Sequence, residues 1–438
     1  MGEVLLRGGM VVDGLGNPPM IADVLIQGQT IREVGAQLSA PDATVVDVHG
    51  QCVMPGLIDA HCHISFDEPS SNDELFFHRQ REGLVAIIAA RNVQKLLRAG
   101  VTGFLDADSL FETGVDLRDA IEAGIVPGPR MSTGGNALLT SVGGTAGRLI
   151  PDSGRRGYGK VVNSPAEIVQ EVRRQIKIGV DWIKVHVTGT TPRHRGQGEL
   201  QVWSAEELRL VADTAHDLGV PVVGHCRGAS SIRDAARAGF DMILHATYMD
   251  EEALAAVVEH RTPIVPTFTF QANLADFGER IQASPELMAL FKQEIIDSVA
   301  MLNRARDAGV PVLCGTESGF SLTPYGEWHY RELDVFVSSL GFTPLQAIQA
   351  ATSEAARAIK MFGRVGAIAP GYLADCIVVD GPVHEDVTCL GNPANITAVY
   401  LNGELQQLSP LPERTDPPGW RVSHYGNGIL HWADVEGR

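Results

Sequence analysis

Apolar positions recur along this chain with two different periods, and the change from one to the other outlines its architecture. The opening stretch reads as short strands, Val4 to Val12, Asp23 to Gly28 and Thr30 to Val34, separated by Gly and Asp turns. The pattern returns near the other end. There, Gly366 to Asp375 leads into Cys376 to Asp380, and Ile396 to Leu401 runs up to the turn Asn402-Gly403. Both ends together therefore predict one small β-sandwich domain.

Between them, apolar strand-like runs alternate with helical stretches. The runs are Leu57 to His63, Val101 to Asp106, Pro129 to Thr133, Trp182 to Val187, Pro221 to Cys226, Met242 to Ala246, Pro263 to Thr267 and Pro311 to Glu317. Ser164-Pro165-Ala166-Glu167 and Ser204-Ala205-Glu206-Glu207 are capping boxes that start helices, and Gly179, Gly219 and Gly239 close helices just before strands. Eight βα units predict an α/β fold, a (β/α)8 TIM barrel flanked by the β-sandwich. The expected division is 1–55 and 361–406 for the β domain, 56–360 for the barrel and 407–438 for a C-terminal extension.

Composition narrows the class without altering this picture. With 438 residues, 44% hydrophobic and 47 glycines, the chain suits a large globular α/β enzyme. A net charge of -18 repels a phosphate backbone and argues against nucleic acid as partner. Met1 to Arg7 lacks a basic region followed by an apolar core, and no apolar run reaches the ~18 residues of a span, so the expectation is a cytoplasmic protein without a membrane partner. The six cysteines are scattered without CxxC spacing and read as reduced and structural.

Chemistry collects where barrel enzymes keep it, at the C-terminal strand ends. Leu57 to His63 ends in His-x-His, and alternation along a strand puts His61 and His63 on one side, where two imidazoles can hold a cation. Alone this is a weak signal. Lys184 lies on the fourth run, His225 on the fifth, His245 on the sixth, and Glu317 ends the eighth, so five strands bring a candidate ligand to one rim. Two divalent ions held close together need a bridging anion. Lys184 serves as one if carbon dioxide converts it to a carbamate; the alternative is a lysine paired with a rim carboxylate. His61, His63 and Glu317 would then hold one metal and His225 and His245 the other, most simply as Zn2+, with Co2+ or Mn2+ as alternatives. Water shared by such ions ionises near neutral pH, and Glu317 is placed to take a proton and pass it to a leaving nitrogen.

This arrangement resembles the amidohydrolase superfamily, in the branch near imidazolonepropionases, prolidase-like dipeptidases and phenylurea or carbamate hydrolases. The resemblance covers residues 1 to about 406 and rests on Pro55-Gly56-Leu57-Ile58-Asp59-Ala60-His61-Cys62-His63, Lys184, His225, His245, Gly315-Thr316-Glu317 and Pro370-Gly371-Tyr372-Leu373-Ala374-Asp375. It implies metal-dependent hydrolysis of a small molecule at the carbon of an amide, carbamate, urea or cyclic amide. Two departures stand out. The family usually ends strand eight with aspartate rather than Glu317, which leaves open a mononuclear site with unmodified Lys184, or Glu317 as base without ligating. A Gly-Gly-His segment common in relatives reads Gly143-Gly144-Thr145-Ala146-Gly147 here. A non-catalytic scaffold on the same fold is the competing class.

Other residues are candidates for substrate contact. Arg193, His194 and Arg195, in the loop Thr188 to Gly198, suit the carboxylate of an N-acyl amino acid or dipeptide, or else form a solvated basic loop. His186 shares the Lys184 face, and His329 follows strand eight with Trp328, Tyr330 and Glu332. Asp106 and Asp108 are placed to orient imidazoles. Phe66, Phe268 and Phe270 would wall an aryl carbamate or urea. The proline-rich tail, with Trp420 and Trp432, predicts docking on a neighbouring surface and a homo-oligomer, with a loose extension as the alternative.

Overall fold

The computed structural model describes residues 2–69, 81–144, 150–153, 157–190, 199–408, 410–412 and 429–435. The chain ends share one eight-stranded sheet. Glu3–Val11 pairs antiparallel with Met20–Gln27 and parallel with both Thr44–Asp47 and Cys52–Pro55. Cys376–Val379 then pairs antiparallel with Cys52–Pro55, and Ile396–Leu401 follows it. Alternation buries Leu6, Val24, Ile26, Val53, Cys376 and Val378 in a single core. The sheet curls back on itself: Ile31 N–H donates to the Tyr372 carbonyl at 2.8 Å, and Ala374 N–H to the Gln29 carbonyl at 2.8 Å.

From Pro55 the chain enters the barrel through Gly56 alone. Strand one is Leu57–Cys62, beside Val101–Asp106 and Arg130–Thr133. Ile183–His186, Val222–Gly228, Met242–Tyr248 and Ile264–Val265 form the second parallel arc. Backbone hydrogen bonds join the arcs: Asp181 N–H reaches the Thr133 carbonyl at 2.9 Å. The eighth run, Pro311 to Glu317, is held by single bonds rather than a ladder, with Leu313 N–H on Ile264 at 2.8 Å and Ala60 N–H on Cys314 at 3.0 Å. Ala60, Leu105, Trp182, Val223, Leu244 and Leu313 fill the interior below the rim, and a larger apolar layer lies between strands and helices.

Of the two capping boxes read from the sequence, the one at Ser204 is complete, on Ala205–His216. Ser164 accepts from Glu167 N–H ahead of Pro165–Ile178, whereas Glu167 accepts from Asn163 N–H at 2.8 Å, and Asp217 rather than Gly219 caps Ala205–His216. Gly179 (φ +98°) and Gly239 (φ +92°) close helices in the left-handed conformation that spares only glycine strain. Ala137–Leu139 and Gly159–Val161 add two parallel strands beside strand four that the periodicity did not predict. Five of the six cysteines are buried and all are free thiols. Among the described residues, no helix is long and apolar enough to cross a membrane.

The end of the tail docks on a neighbouring surface, that of its own chain. Leu430 is buried, its N–H donates to the Ser321 carbonyl at 3.0 Å, and its carbonyl accepts from Trp328 Nε1 at 3.0 Å. Glu327 accepts from Trp432 N–H at 2.6 Å and contacts His431 at 2.8 Å. Residues 429–435 are therefore held at the loop after strand eight. Trp420 lies outside the described residues.

Candidate metal centre

Strand one does not reach the rim as a regular strand. Its pairing with strand two shifts between Asp59 and Cys62, so three steps on one side match two on the other. Such a bulge re-aims side chains. Ala60 keeps its place in the barrel interior, yet His61 and His63 both face the cavity above it, with ring centroids 4.9 Å apart. His245 arrives by another irregularity. Leu244 fills the interior, and alternation would turn His245 outward, but left-handed backbone at His245 (φ +73°) and Ala246 (φ +51°) brings its ring within 5.2 Å of His61. Glu317 (φ +56°) is similarly strained, held by its N–H on the His61 carbonyl at 2.7 Å. Ligand atoms of His61, His245 and Glu317 all lie within 4.8 Å of one another.

A small cavity of about 30 Å³, room for roughly two water-sized bodies, lies among His61, His63, Lys184, His186, His225 and Glu317. Burial, with Lys184 and His63 nearby, holds His61 well below the usual imidazole range; burial and His225 do the same to His245. Both rings are thus neutral and offer lone pairs. Both ring nitrogens of His245 and the Lys184 Nζ are buried without a hydrogen-bond partner. Burial also lowers Lys184, against the pull of Asp108, and raises Glu317. Orphaned nitrogens beside the grouped ligand atoms of His61, His245 and Glu317 fit a divalent cation.

Two carboxylates touch the histidines. Asp108 Oδ1 lies 2.5 Å from His63 Nδ1, its Oδ2 lies 2.6 Å from His186 Nε2, and Lys184 Nζ is 4.0 Å away. Burial opposes its charge, but His63 and Lys184 hold Asp108 well below the usual range. In turn Asp108 outweighs burial at His63 and raises it. His186 is driven by burial down to about 4, stacks on His225 and lines the cavity. Asp106 has no imidazole partner among the described residues: it accepts from Ile64 N–H at 2.9 Å and Thr133 at 3.4 Å. Glu199, on the far side, lies 2.8 Å from His225 Nε2. Despite burial, His225 and Arg227 hold it down to about 2. Nothing local in the sequence marks Glu199, because a hairpin and not periodicity delivers it.

His329 is placed elsewhere. Its Nδ1 lies 2.7 Å from Asp59, Gly326 N–H donates to its Nε2 at 3.1 Å, and it is not among the residues lining the cavity. Both ring nitrogens are engaged, so substrate contact there has no free atom. Arg193, His194 and Arg195 lie outside the described residues. The aromatic wall is partly as expected: Phe66 stacks on His63 at 4.4 Å, and Phe270 packs against Phe320 at 5.8 Å. Tyr158 and Phe320 complete it, whereas Phe268 points into the outer core.

A barrel with buried imidazoles, a lysine and a carboxylate at its C-terminal rim defines a metal-dependent hydrolase class, and sequence comparison agrees. The chain belongs to the amidohydrolase family, whose model matches residues 52–405. It is 27% identical to ochratoxinase of Aspergillus niger over 424 residues, covering 92% of this chain and 86% of that one. It is 25% identical to imidazolonepropionase of Symbiobacterium thermophilum, covering 84% of each. Among solved structures, a Xaa-Pro dipeptidase with bound methionine in its active site superposes with a TM-score of 0.80 at 28% identity, covering 92% of this chain and 100% of that one. The protein is therefore a hydrolase acting on carbon–nitrogen bonds.

Proposed function

We propose that this protein hydrolyses the C–N bond of a small amide, carbamate or urea at a centre of two divalent ions, most simply zinc. His61, His63 and Glu317 would hold one ion, His225 and His245 the other, and a Lys184 carbamate would bridge them. Bound there, such ions polarise the scissile carbonyl and lower the pKa of a water. Glu317 accepts the proton released on attack and returns it to the departing nitrogen; burial raises its pKa and suits it to both steps. Phe66, Tyr158 and Phe320 exclude water from the reacting carbonyl and offer flat apolar contact to an aryl or acyl group. On this reading 1–55 and 361–406 are one β domain, 56–360 the catalytic barrel and 407–438 an extension.

The observation that carries the proposal is the buried nitrogens of His245 and Lys184 that lack a hydrogen-bond partner, together with ligand atoms of His61, His245 and Glu317 within 4.8 Å of one another. A mononuclear reading with Lys184 as an ammonium has its own support, since Asp108 lies 4.0 Å from Nζ, where a carbamate would be repelled. The test is a panel of N-acyl amino acids, dipeptides, aryl carbamates and ureas, run before and after chelation and on return of Zn2+, Co2+ or Mn2+. Activity lost and regained with two equivalents of metal supports the binuclear site, and one equivalent the mononuclear. Full turnover by metal-free protein rules out both.

A further inference from the structure

The residues that would hold metal do not explain Glu199. It directly precedes Leu200–Gln201, which pairs antiparallel with Thr188–Thr190, Thr188 opposite Gln201. That pairing lets the Thr188 hydroxyl donate to Glu199 Oε2 at 2.8 Å. The same oxygen lies 2.8 Å from His225 Nε2, and Oε1 lies 3.9 Å from Arg227 Nε. Arg227 is itself anchored by Glu294, which accepts from the Tyr248 hydroxyl at 3.0 Å. The carboxylate is thus clamped before it reaches the ring. The His225 ring is fixed in plane by its neighbours, stacked on His186 at 4.8 Å and edge-on to His245 at 4.4 Å.

A neutral imidazole carries one N–H. An ionised carboxylate against Nε2 keeps the proton there and leaves the lone pair on Nδ1. We propose that Glu199 is a positioning residue for the metal centre: by accepting the His225 Nε2–H it fixes the tautomer and plane in which Nδ1 serves as ligand. The inference rests on the proposed function, and it makes the pairing of Thr188–Thr190 with Leu200–Gln201 part of the centre's support.

The test is Zn2+ affinity, measured on metal-free protein against a competing chelator. Glu199→Ala weakens binding by about 10- to 100-fold, as the loss of such a partner does elsewhere. Glu199→Gln keeps an acceptor oxygen without the charge and regains most of that affinity. Thr188→Val, which frees the carboxylate without removing it, gives a smaller loss of the same sign and carries the test if Glu199→Ala does not fold. The d–d spectrum of the Co2+-loaded protein changes in Glu199→Ala and is restored in Glu199→Gln. Unchanged affinity in folded Glu199→Ala, or in Thr188→Val when the alanine variant is unfolded, overturns the inference, and so does a Glu199→Gln variant as weak as the alanine one. Wild-type protein that binds none of Zn2+, Co2+ and Mn2+ would instead overturn the proposed function.

Discussion

At Glu317 the chain takes a left-handed turn two residues after Gly315, where strand eight lies tightly against strands seven and one. A Cβ on Gly315 would stand 2.5 Å from Val265 Cγ1 and 2.9 Å from the His61 backbone nitrogen, well inside contact distance. Gly315→Ala should therefore push His61 aside, lower the melting temperature by the equivalent of ~1–3 kcal/mol and reduce metal content, read by calorimetry and elemental analysis. For Glu317 itself, Glu317→Gln removes the proton acceptor and should lower kcat by about 10²- to 10⁴-fold. Glu317→Asp keeps the charge but withdraws it by roughly one bond length, a displacement that can cost about 10²-fold in kcat. A Glu317→Asp variant with wild-type turnover would show that the extra methylene has no role.

Among the elements, helix Thr269–Phe277 lacks a capping side chain of its own and borrows one. Glu332 accepts from Phe268 N–H at 2.9 Å and from Thr269 N–H at 2.8 Å. Burial nevertheless pushes its pKa up to about 8. Its folded value lies above the unfolded one of about 4.3, so the native state binds the extra proton in between. Its contribution is full below that lower value and is lost as pH rises through about 8. Unfolding in urea should show wild type losing stability relative to Glu332→Gln between pH 5 and pH 8, with a constant difference above; a flat difference throughout would refute it. The docked tail acts on the same loop. Leu430→Ala should cost ~2–4 kcal/mol of that segment's packing. It should also shift Trp328 emission to the red and raise KM, because Phe320, just before the docking point, lines the cavity.

For the whole molecule, metal and charge are the levers. A cation that binds only the folded chain adds about 2.7 kcal/mol at one hundred times its Kd, so chelation should lower the melting temperature as well as activity. The net charge of -18 separates substrate classes. A carboxylated dipeptide approaches a repelling field, and its kcat/KM should rise as salt screens that field between about 10 and 150 mM. A neutral aryl carbamate or urea should show no such dependence.

Much of this was legible in the sequence, for reasons that differ residue by residue. Strand and helix periods, capping boxes and strand-end histidines are local, so the barrel, the shared terminal sheet and the set His61, His63, Lys184, His225 and His245 could be read along the chain. Alternation, however, does not say which face meets the cavity. A bulge between Asp59 and Cys62 and positive φ at His245 and Ala246 decide that, and both arise from packing against neighbouring strands. Asp108 between His63, His186 and Lys184, Glu199 on His225, His329 turned to Asp59, and the tail on Ser321 to Trp328 join residues distant in sequence. Sequence alone determined which side chains were available and on which strands. Only the tertiary structure decided which of them share one buried cavity, because hydrogen bonds and burial act through space and have no period along the chain.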